Sequence, residues 1–380
     1  MAHPTFDVIV IGAGGMGSAA AFELARRGRS VLALEQFPLV HDRGSSHGHT
    51  RIIRRAYYED PAYVPLVRRA FERWYDLEQR TGQHLLTDCG CLVIGRPEGE
   101  VVSGVLASAG QHGLDVEHLT SSRLRERYPQ FQFSDDYVGV LERDAGFLYV
   151  EECVRAHLEQ ARLLGATLHA DEPVLSWTSN GNSASVTTAK ATYHAQKLIL
   201  TAGPWAGQLL AESGAMLRIM RQTLLWFGTN EPERFRRDHF PIFLVDVPEG
   251  PFYGLPEIDG RGIKVAQHYG SPELMSPSEV DRAIHAADEA PVRAFLTQHI
   301  PGANGPLHDA QTCIYTLTPD RHFLIDLHPQ FANVAVAAGF SGHGFKFSSV
   351  VGEVLADLVE HGGTPWPINM FGFGRFQTIR

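Results

Sequence analysis

The sequence predicts an α/β plus α+β protein: an α/β domain assembled from both chain ends, interleaved with a second domain built on an antiparallel or mixed sheet. Three observations predict it. Residues 6–35 read as strand, glycine turn, helix and strand, and residues 334–361 read again as strand, glycine turn and helix. Between them, residues 83–148 and 216–315 carry short, scattered strand patterns with no low-complexity linker. At about 100–200 residues per domain, 380 residues allow two or three domains.

The first unit is the most specific. Phe6–Ile11 is a short β-branched apolar run that ends in Gly12-Ala13-Gly14-Gly15-Met16-Gly17. Ser18–Arg27 is rich in helix formers and stops at Gly28, and Ser30–Glu35 is a second buried-strand pattern ending in an acid. Gly12 permits a tight turn, Gly14 lets backbone N–H groups approach a pyrophosphate at the positive end of the helix, and Gly17 permits close helix–strand packing. Glu35 stands where a carboxylate accepts hydrogen bonds from ribose hydroxyls and repels a 2′-phosphate. The unit therefore predicts dinucleotide binding, with NAD and FAD both open at this point.

Further along, Tyr63–Gly82 reads as a helix with Leu66, Ala70, Trp74 and Leu77 on one face. Glu151–Gly165 is a second amphipathic helix, leading into the strand Thr167–His169. Lys197–Thr201 is a strand followed by Ala202-Gly203-Pro204-Trp205, and both strands suit the nucleotide-binding sheet. Gly262–Ala266 exemplifies the short strands of the second domain. Val334–Ala338, the glycine-rich run Gly339–Lys346 and the helix Ser348–His361 return the chain to the first domain. The expected division is residues 1–82, 149–215 and 316–380 in the nucleotide-binding domain, and 83–148 and 216–315 in the substrate domain.

Composition excludes several classes. With 44% apolar and 20% charged residues, the chain can bury a large core. A net charge of −10, from 33 basic and 43 acidic residues, argues against nucleic-acid binding. Four cysteines make no disulfide framework, and the lone Cys89-x-Cys91 pair has no zinc-spaced partners. The apolar stretch Val8–Phe22 follows a segment without Lys or Arg and is full of glycine, so neither a secretory signal nor a membrane span is expected, and the protein reads as cytoplasmic.

Four stretches carry more specific information: Gly12–Gly17, Gly44–Arg54 (GSSHGHTRIIR), Gln311–Asp326 (QTCIYTLTPDRHFLID) and Ala338–Ser348 (AGFSGHGFKFS). Phe252–Pro256 (FYGLP), with Lys264 and His268, accompanies them. In this order, across almost the whole chain, they resemble the monomeric sarcosine oxidase family, which includes N-methyltryptophan and pipecolate oxidases, among the D-amino-acid-oxidase-like amine oxidases. The resemblance implies a Rossmann-like FAD-binding domain under a catalytic domain whose mixed sheet covers the flavin. It implies oxidation of a secondary amino acid such as sarcosine, hydrolysis of the imine to an amino acid and formaldehyde, and reduction of molecular oxygen to hydrogen peroxide by a monomeric enzyme. N-methyltryptophan, pipecolate or a glycated amino acid are alternative substrates. A dehydrogenase that passes electrons to another carrier, and a non-oxidase FAD-binding protein, are alternative functions.

Site residues follow from the same match. Cys313 stands where family members bond the flavin 8α-methyl carbon; a thiolate is the nucleophile this needs. Arg54 and Lys346 would hold the substrate carboxylate, because a carboxylate in a dry pocket must be paired. Lys346 also falls at a predicted helix N-terminus, an unfavourable place for a cation unless an anion sits nearby. Arg51 would lie near the flavin ring, and Lys264 would promote oxygen reduction beside it. Tyr253 and His268 would line the substrate cavity, joined by Tyr315. Ser45, Thr50, Val174, Gly203 and Trp205 are further expected cofactor contacts. So are Gly342, His343 and Gly344, whose turn could stabilise negative charge on the reduced flavin. Two residues depart from the pattern of many relatives: Ser46 replaces one histidine of a pair, and His49 replaces an acid. No metal is implied.

Overall fold

A computed structural model describes residues 5–377. The remaining residues, 1–4 and 378–380, include the outer limits of the expected first domain and four of the seven residues ahead of the apolar stretch that begins at Val8. Two large sheets and one small one organise the chain.

The first sheet has eight strands, and its centre is parallel. Thr5–Ile11 lies between Thr192–Leu200 and Val31–Leu34, and Thr167–His169 follows on the far side of Val31–Leu34. Phe331–Ala338 adds in parallel to the end of Thr192–Leu200. Residues 8–11, 31–34, 198–200 and 334–338 of these strands are buried on both faces, which explains their unbroken apolar runs. Val8 and Val10 enter one core with Ala20, Leu24, Val350 and Val354, whereas Ile9, Ile11, Leu32 and Leu34 enter the other. The helices Gly15–Arg26 and Ser348–His361 meet at Gly352, where a Cβ would collide with the Ala19 backbone.

The second sheet has nine strands. It is antiparallel except where Ile242–Val247 runs parallel to Cys91–Gly95, which makes it mixed. One face packs on the helix Ala286–His299, with Phe252 stacked on Phe295 at 4.3 Å between ring centroids. The period-2 alternation of strands sends the intervening residues Tyr253 and Lys264 to the other face, toward the first domain. A small third sheet joins Thr50–Ile53 to Gly146–Tyr149 and Leu86–Asp88. It draws two short strands from residues 83–148 away from the large mixed sheet and braces the segment that carries Arg51.

Element boundaries differ from the sequence reading mainly at glycines. The first helix starts at Gly15 rather than Ser18, because its first turn is made of glycines whose low helix propensity hides them. The helix expected over Tyr63–Gly82 spans Val64–Thr81, preceded by a 3₁₀ turn over Pro61–Tyr63 that the Asp60 carboxylate caps. Gly82 ends it in the left-handed conformation. The last helix occupies Ser348–His361, as its apolar spacing indicates. Among the described residues, no helix is long and apolar enough to cross a membrane.

Candidate active site

One long cavity begins at Glu35, crosses the Gly12–Gly15 turn and ends between the two large sheets at Arg54, His268 and Lys346. It lies at the carboxyl ends of the parallel strands, where open α/β sheets bind ligands. Gly12 has φ +91°, and a Cβ there would press on the Thr201 carbonyl. A Cβ on Gly17 would overlap the Gly12 carbonyl oxygen, so the helix can sit this close only with glycine. The helix N-terminus has no side-chain cap of its own; instead the Gly15 N–H donates to Ser46 Oγ at 3.0 Å. Glu35 accepts from the Ala13 N–H at 2.9 Å and the Phe37 N–H at 3.2 Å, which holds its carboxylate on the cavity wall. Met16, Val174, Gly203 and Trp205 line the same stretch. A carboxylate on the wall, a helix N-terminus without a cap from its own N-cap residue and a tight glycine turn are the groups an extended dinucleotide requires, so the residues fit FAD.

Toward the second domain, Ser45 and Arg51 line the cavity, and Cys313 lies behind Arg51. Ser45 Oγ donates to the Ile314 carbonyl at 2.6 Å, tying the loop to the strand that carries Cys313. Cys313 is 1% exposed, yet its thiol titrates at about 6. Burial pushes the thiol up, but the Arg51 guanidinium, whose Nη2 donates to Sγ at 3.2 Å, and the neighbouring His47 ring outweigh it. His47 acts here at close range without completing a hydrogen bond: both of its ring nitrogens are buried and unpartnered. At the other cysteines burial dominates: although Arg54 opposes it at Cys91, Cys89 and Cys91 are both raised to about 12.

At the far end, Arg54 is 4% exposed and pairs with Glu59 at 2.8 Å. Burial alone would raise the Glu59 carboxyl, but Arg54, His343 and Lys346 around it bring it down to about 2. Lys346 is also buried, on the short 3₁₀ turn that leads into the last helix. Its Nζ donates to the His343 carbonyl at 2.6 Å and to Tyr57 Oη at 3.4 Å. Burial, with the repulsion of Arg54, lowers its pKa to about 7. His343 lines the cavity, but both of its ring nitrogens are engaged, with Tyr57 Oη at 2.6 Å and the Arg321 carbonyl at 3.0 Å. Gly342 and Gly344 line the cavity too; a Cβ on either would collide with an aromatic ring, Tyr315 or Phe340 respectively. Arg55 instead lies over the Phe71 ring.

Tyr253, His268 and Tyr315 form the aromatic wall between these ends. His268 Nδ1 and Tyr315 Oη are 3.2 Å apart. Burial, reinforced by His343, lowers His268 to about 3, so the ring is neutral at physiological pH. Lys264, 2% exposed, does not reach the cavity wall. Its Nζ donates to the carbonyls of Gly48 at 2.7 Å and Thr50 at 2.9 Å, and it lies over the Trp226 ring at 5.1 Å. A lysine alternating with Ile263 and Val265 is more commonly a solvent-facing one; here the opposite face of the strand is the domain interface.

Several wall residues carry no sequence signal. Glu59 follows two tyrosines and resembles any surface acid in sequence, and Tyr58, Cys91 and Leu244 read as ordinary core. Cys91, expected to be simply a core residue, is buried and also faces the Arg54 end of the cavity. Only the pairing of Cys91–Gly95 with Ile242–Val247 puts Cys91 and Leu244 on one face.

Known proteins resemble this chain in sequence and fold. A monomeric sarcosine oxidase of Streptomyces avermitilis is 44% identical over 373 residues, covering 97% of each chain. An N-methyl-L-tryptophan oxidase of Yersinia pestis is 34% identical over 374 residues, covering 98% of this chain and 100% of that one. The solved structure of NikD, an unusual amino acid oxidase essential for nikkomycin biosynthesis, superposes with a TM-score of 0.84 at 26% identity, covering 97% of both chains. The family described as DAO, FAD dependent oxidoreductase, matches residues 7–358. A match of that length, on a chain whose glycine cradle fits the dinucleotide, settles the family: the chain belongs to the FAD dependent oxidoreductases of the DAO family.

Proposed function

We propose that this enzyme oxidises a small N-methyl amino acid, sarcosine being the simplest, and uses molecular oxygen as the final acceptor. The observation that carries this reading is the buried cation pair Arg54 and Lys346 at the closed end of the cavity, beside a neutral His268. The pair suits a carboxylate, and the neutral imidazole suits an amine. The sarcosine oxidase relative supports the substrate class.

Bound FAD supplies the hydride acceptor and, once reduced, the electron donor to oxygen. The chain's own residues do the rest. Arg54 and Lys346 hold the carboxylate and fix the direction of the substrate. Tyr253 and Tyr315 flank the amine and exclude water, and His268 accepts a hydrogen bond from it. Lys264 and Arg51 provide positive charge where anionic reduced oxygen forms, and the Gly342–Gly344 turn offers backbone N–H groups to the reduced cofactor. Water then hydrolyses the released imine. The net reaction takes sarcosine, oxygen and water to glycine, formaldehyde and hydrogen peroxide.

Cys313 anchors the cofactor in this proposal. Its thiolate, held beside Arg51, would be the nucleophile for attachment at the 8α-methyl carbon, with the methyl proton lost to solvent and oxygen as the acceptor of the electron pair. The thiol's descent to about 6 supports it. The division into a nucleotide-binding part (residues 1–82, 149–215 and 316–380) and a substrate part (83–148 and 216–315) is retained, with the small third sheet as the seam. Four free cysteines and a relative described as monomeric support a monomer in a reducing cytoplasm.

The test is anaerobic mixing with sarcosine, N-methyltryptophan and pipecolate, followed by flavin absorbance near about 450 nm. Fastest bleaching by sarcosine, reversed by air, is the expected result. Preferential bleaching by either larger amine would replace the substrate, and no bleaching by any of them would overturn the amine-oxidase reading.

A further inference from the structure

The peptide group between Gly48 and His49 is held from both ends by hydrogen bonds to ionisable side chains. Its carbonyl oxygen accepts from Lys264 Nζ at 2.7 Å. Its N–H, on His49, donates to both carboxylate oxygens of Glu151 at 3.1 Å. The preceding N–H, on Gly48, donates to Glu151 Oε1 at 2.8 Å. Because C=O and N–H point in opposite directions across a trans peptide, the peptide dipole lies aligned between the Glu151 carboxylate and the Lys264 amino group, whose pKa burial and Arg51 push well below the ordinary lysine value.

The turn is unusual enough to need holding. Gly48 has φ +92° and His49 φ +68°, and a non-glycine residue in the left-handed region is uncommon. Glu151 itself lies in the first turn of the helix Val150–Leu163, where the helix dipole favours an anion. The Val150 N–H donates to the His49 carbonyl at 2.9 Å, so the helix start and the turn form one unit.

We infer that Glu151 is a positioning residue for Lys264: through the Gly48–His49 peptide it presents the Gly48 carbonyl, one of the two that fix Nζ beside the cofactor site. A buried ammonium needs acceptors, and the protein acceptors at short range are the carbonyls of Gly48 and Thr50. Both belong to the segment that Glu151 grips. Glu151 also opposes the charge of Arg51, which lowers the cost of burying two cations together. This role rests on the proposed part of Lys264 in oxygen reduction.

The test separates the two half-reactions in the holoenzyme. Glu151→Gln keeps an oxygen acceptor and loses the charge; Glu151→Ala loses both; Lys264→Met is the reference. Sarcosine-reduced enzyme is mixed with oxygen in a stopped flow, and anaerobic reduction is followed separately, both per bound flavin. Glu151→Gln is expected to slow reoxidation by at least about tenfold while changing reduction by less than about threefold, and Glu151→Ala to slow reoxidation further. Crystal structures of the variants are expected to show the Gly48–His49 peptide rotated and Nζ beyond hydrogen-bond distance of the Gly48 oxygen. Slow reoxidation in Lys264→Met with parental reoxidation in both Glu151 variants would overturn the positioning role and leave the Lys264 assignment standing. Parental reoxidation in Lys264→Met would remove that assignment and this inference with it. Equal slowing of both half-reactions, with the peptide and Nζ unmoved, would mark Glu151 as a general structural residue and overturn the inference.

Discussion

Arg51 Nη2 donates to Cys313 Sγ at 3.2 Å, and this contact couples the cavity wall to a thiol that is closed off from water. Burial alone would keep the thiol protonated; the guanidinium brings it down to about 6. Thiolate is therefore present above that pH and lost below it. Flavin-free protein mixed with FAD is expected to attach flavin at a rate that climbs as pH passes through about 6 and then levels. Arg51→Met moves the climb to higher pH, and Cys313→Ser abolishes attachment. Flavin retained in acid-precipitated protein measures it, and a pH-independent rate would count against the thiolate.

The ion pair of Arg54 with Glu59 predicts opposite effects for its two partners. Arg54→Ala removes a charged hydrogen-bond partner worth about 1.5–3 kcal/mol to the substrate carboxylate, so KM for sarcosine is expected to rise about ten- to a hundredfold. Glu59→Gln frees Arg54 for the substrate, and KM is expected to fall. Both variants leave a buried charge without its partner and lower Tm. Steady-state kinetics and thermal unfolding measure the two effects, and a raised KM in Glu59→Gln would contradict this account.

Lys346, brought down to about 7 by burial and by Arg54, is charged below that pH and neutral above it. Since a folded pKa depressed below the unfolded one means fewer bound protons in the fold, burying the ammonium carries its full cost to stability below about 7, and that cost fades as pH rises from there toward the ordinary lysine value of 10.5. For catalysis the sign is opposite. Carboxylate binding uses the cation, so kcat/KM for sarcosine is expected to fall as pH rises through about 7. Lys346→Arg is expected to move that limb to higher pH, because arginine stays protonated. His268, held at about 3, contributes nothing to this limb, and a limb that survives in Lys346→Arg would assign it elsewhere.

Gly17→Ala tests the cradle directly. The added Cβ would overlap the Gly12 carbonyl oxygen, and neither backbone segment can move without shifting a central strand. A loss of about 1–3 kcal/mol is expected, together with loss of bound flavin. Thermal unfolding and the ratio of flavin to protein absorbance would show it; unchanged values would mean that the helix does not pack as described.

Much of this molecule is written locally. The helix Ser348–His361 and the strand Thr167–His169 form where their apolar patterns indicate, because each pattern matches the period of one element and glycine marks the stops. The glycine turn is legible for a similar reason: Gly12 and Gly17 are required by contacts within a unit of about 30 residues. Lys264 was only half legible. Alternation with Ile263 and Val265 shows that it faces away from them, but not whether water or protein lies on that side.

The sequence by itself determined the dinucleotide unit and the α/β and mixed-sheet classes, since these depend on short-range spacing and backbone sterics, while Cys313 and Lys346 were legible only through the family resemblance of the motifs around them. Tertiary structure alone decided which charges face one another. Glu59 meets Arg54, and Arg51 meets Cys313 across 262 positions of chain. Glu151 meets the turn that holds Lys264, 102 positions from His49. Charge is read at a distance of a few ångströms in a dry interior, and only the packing of the two domains sets those distances.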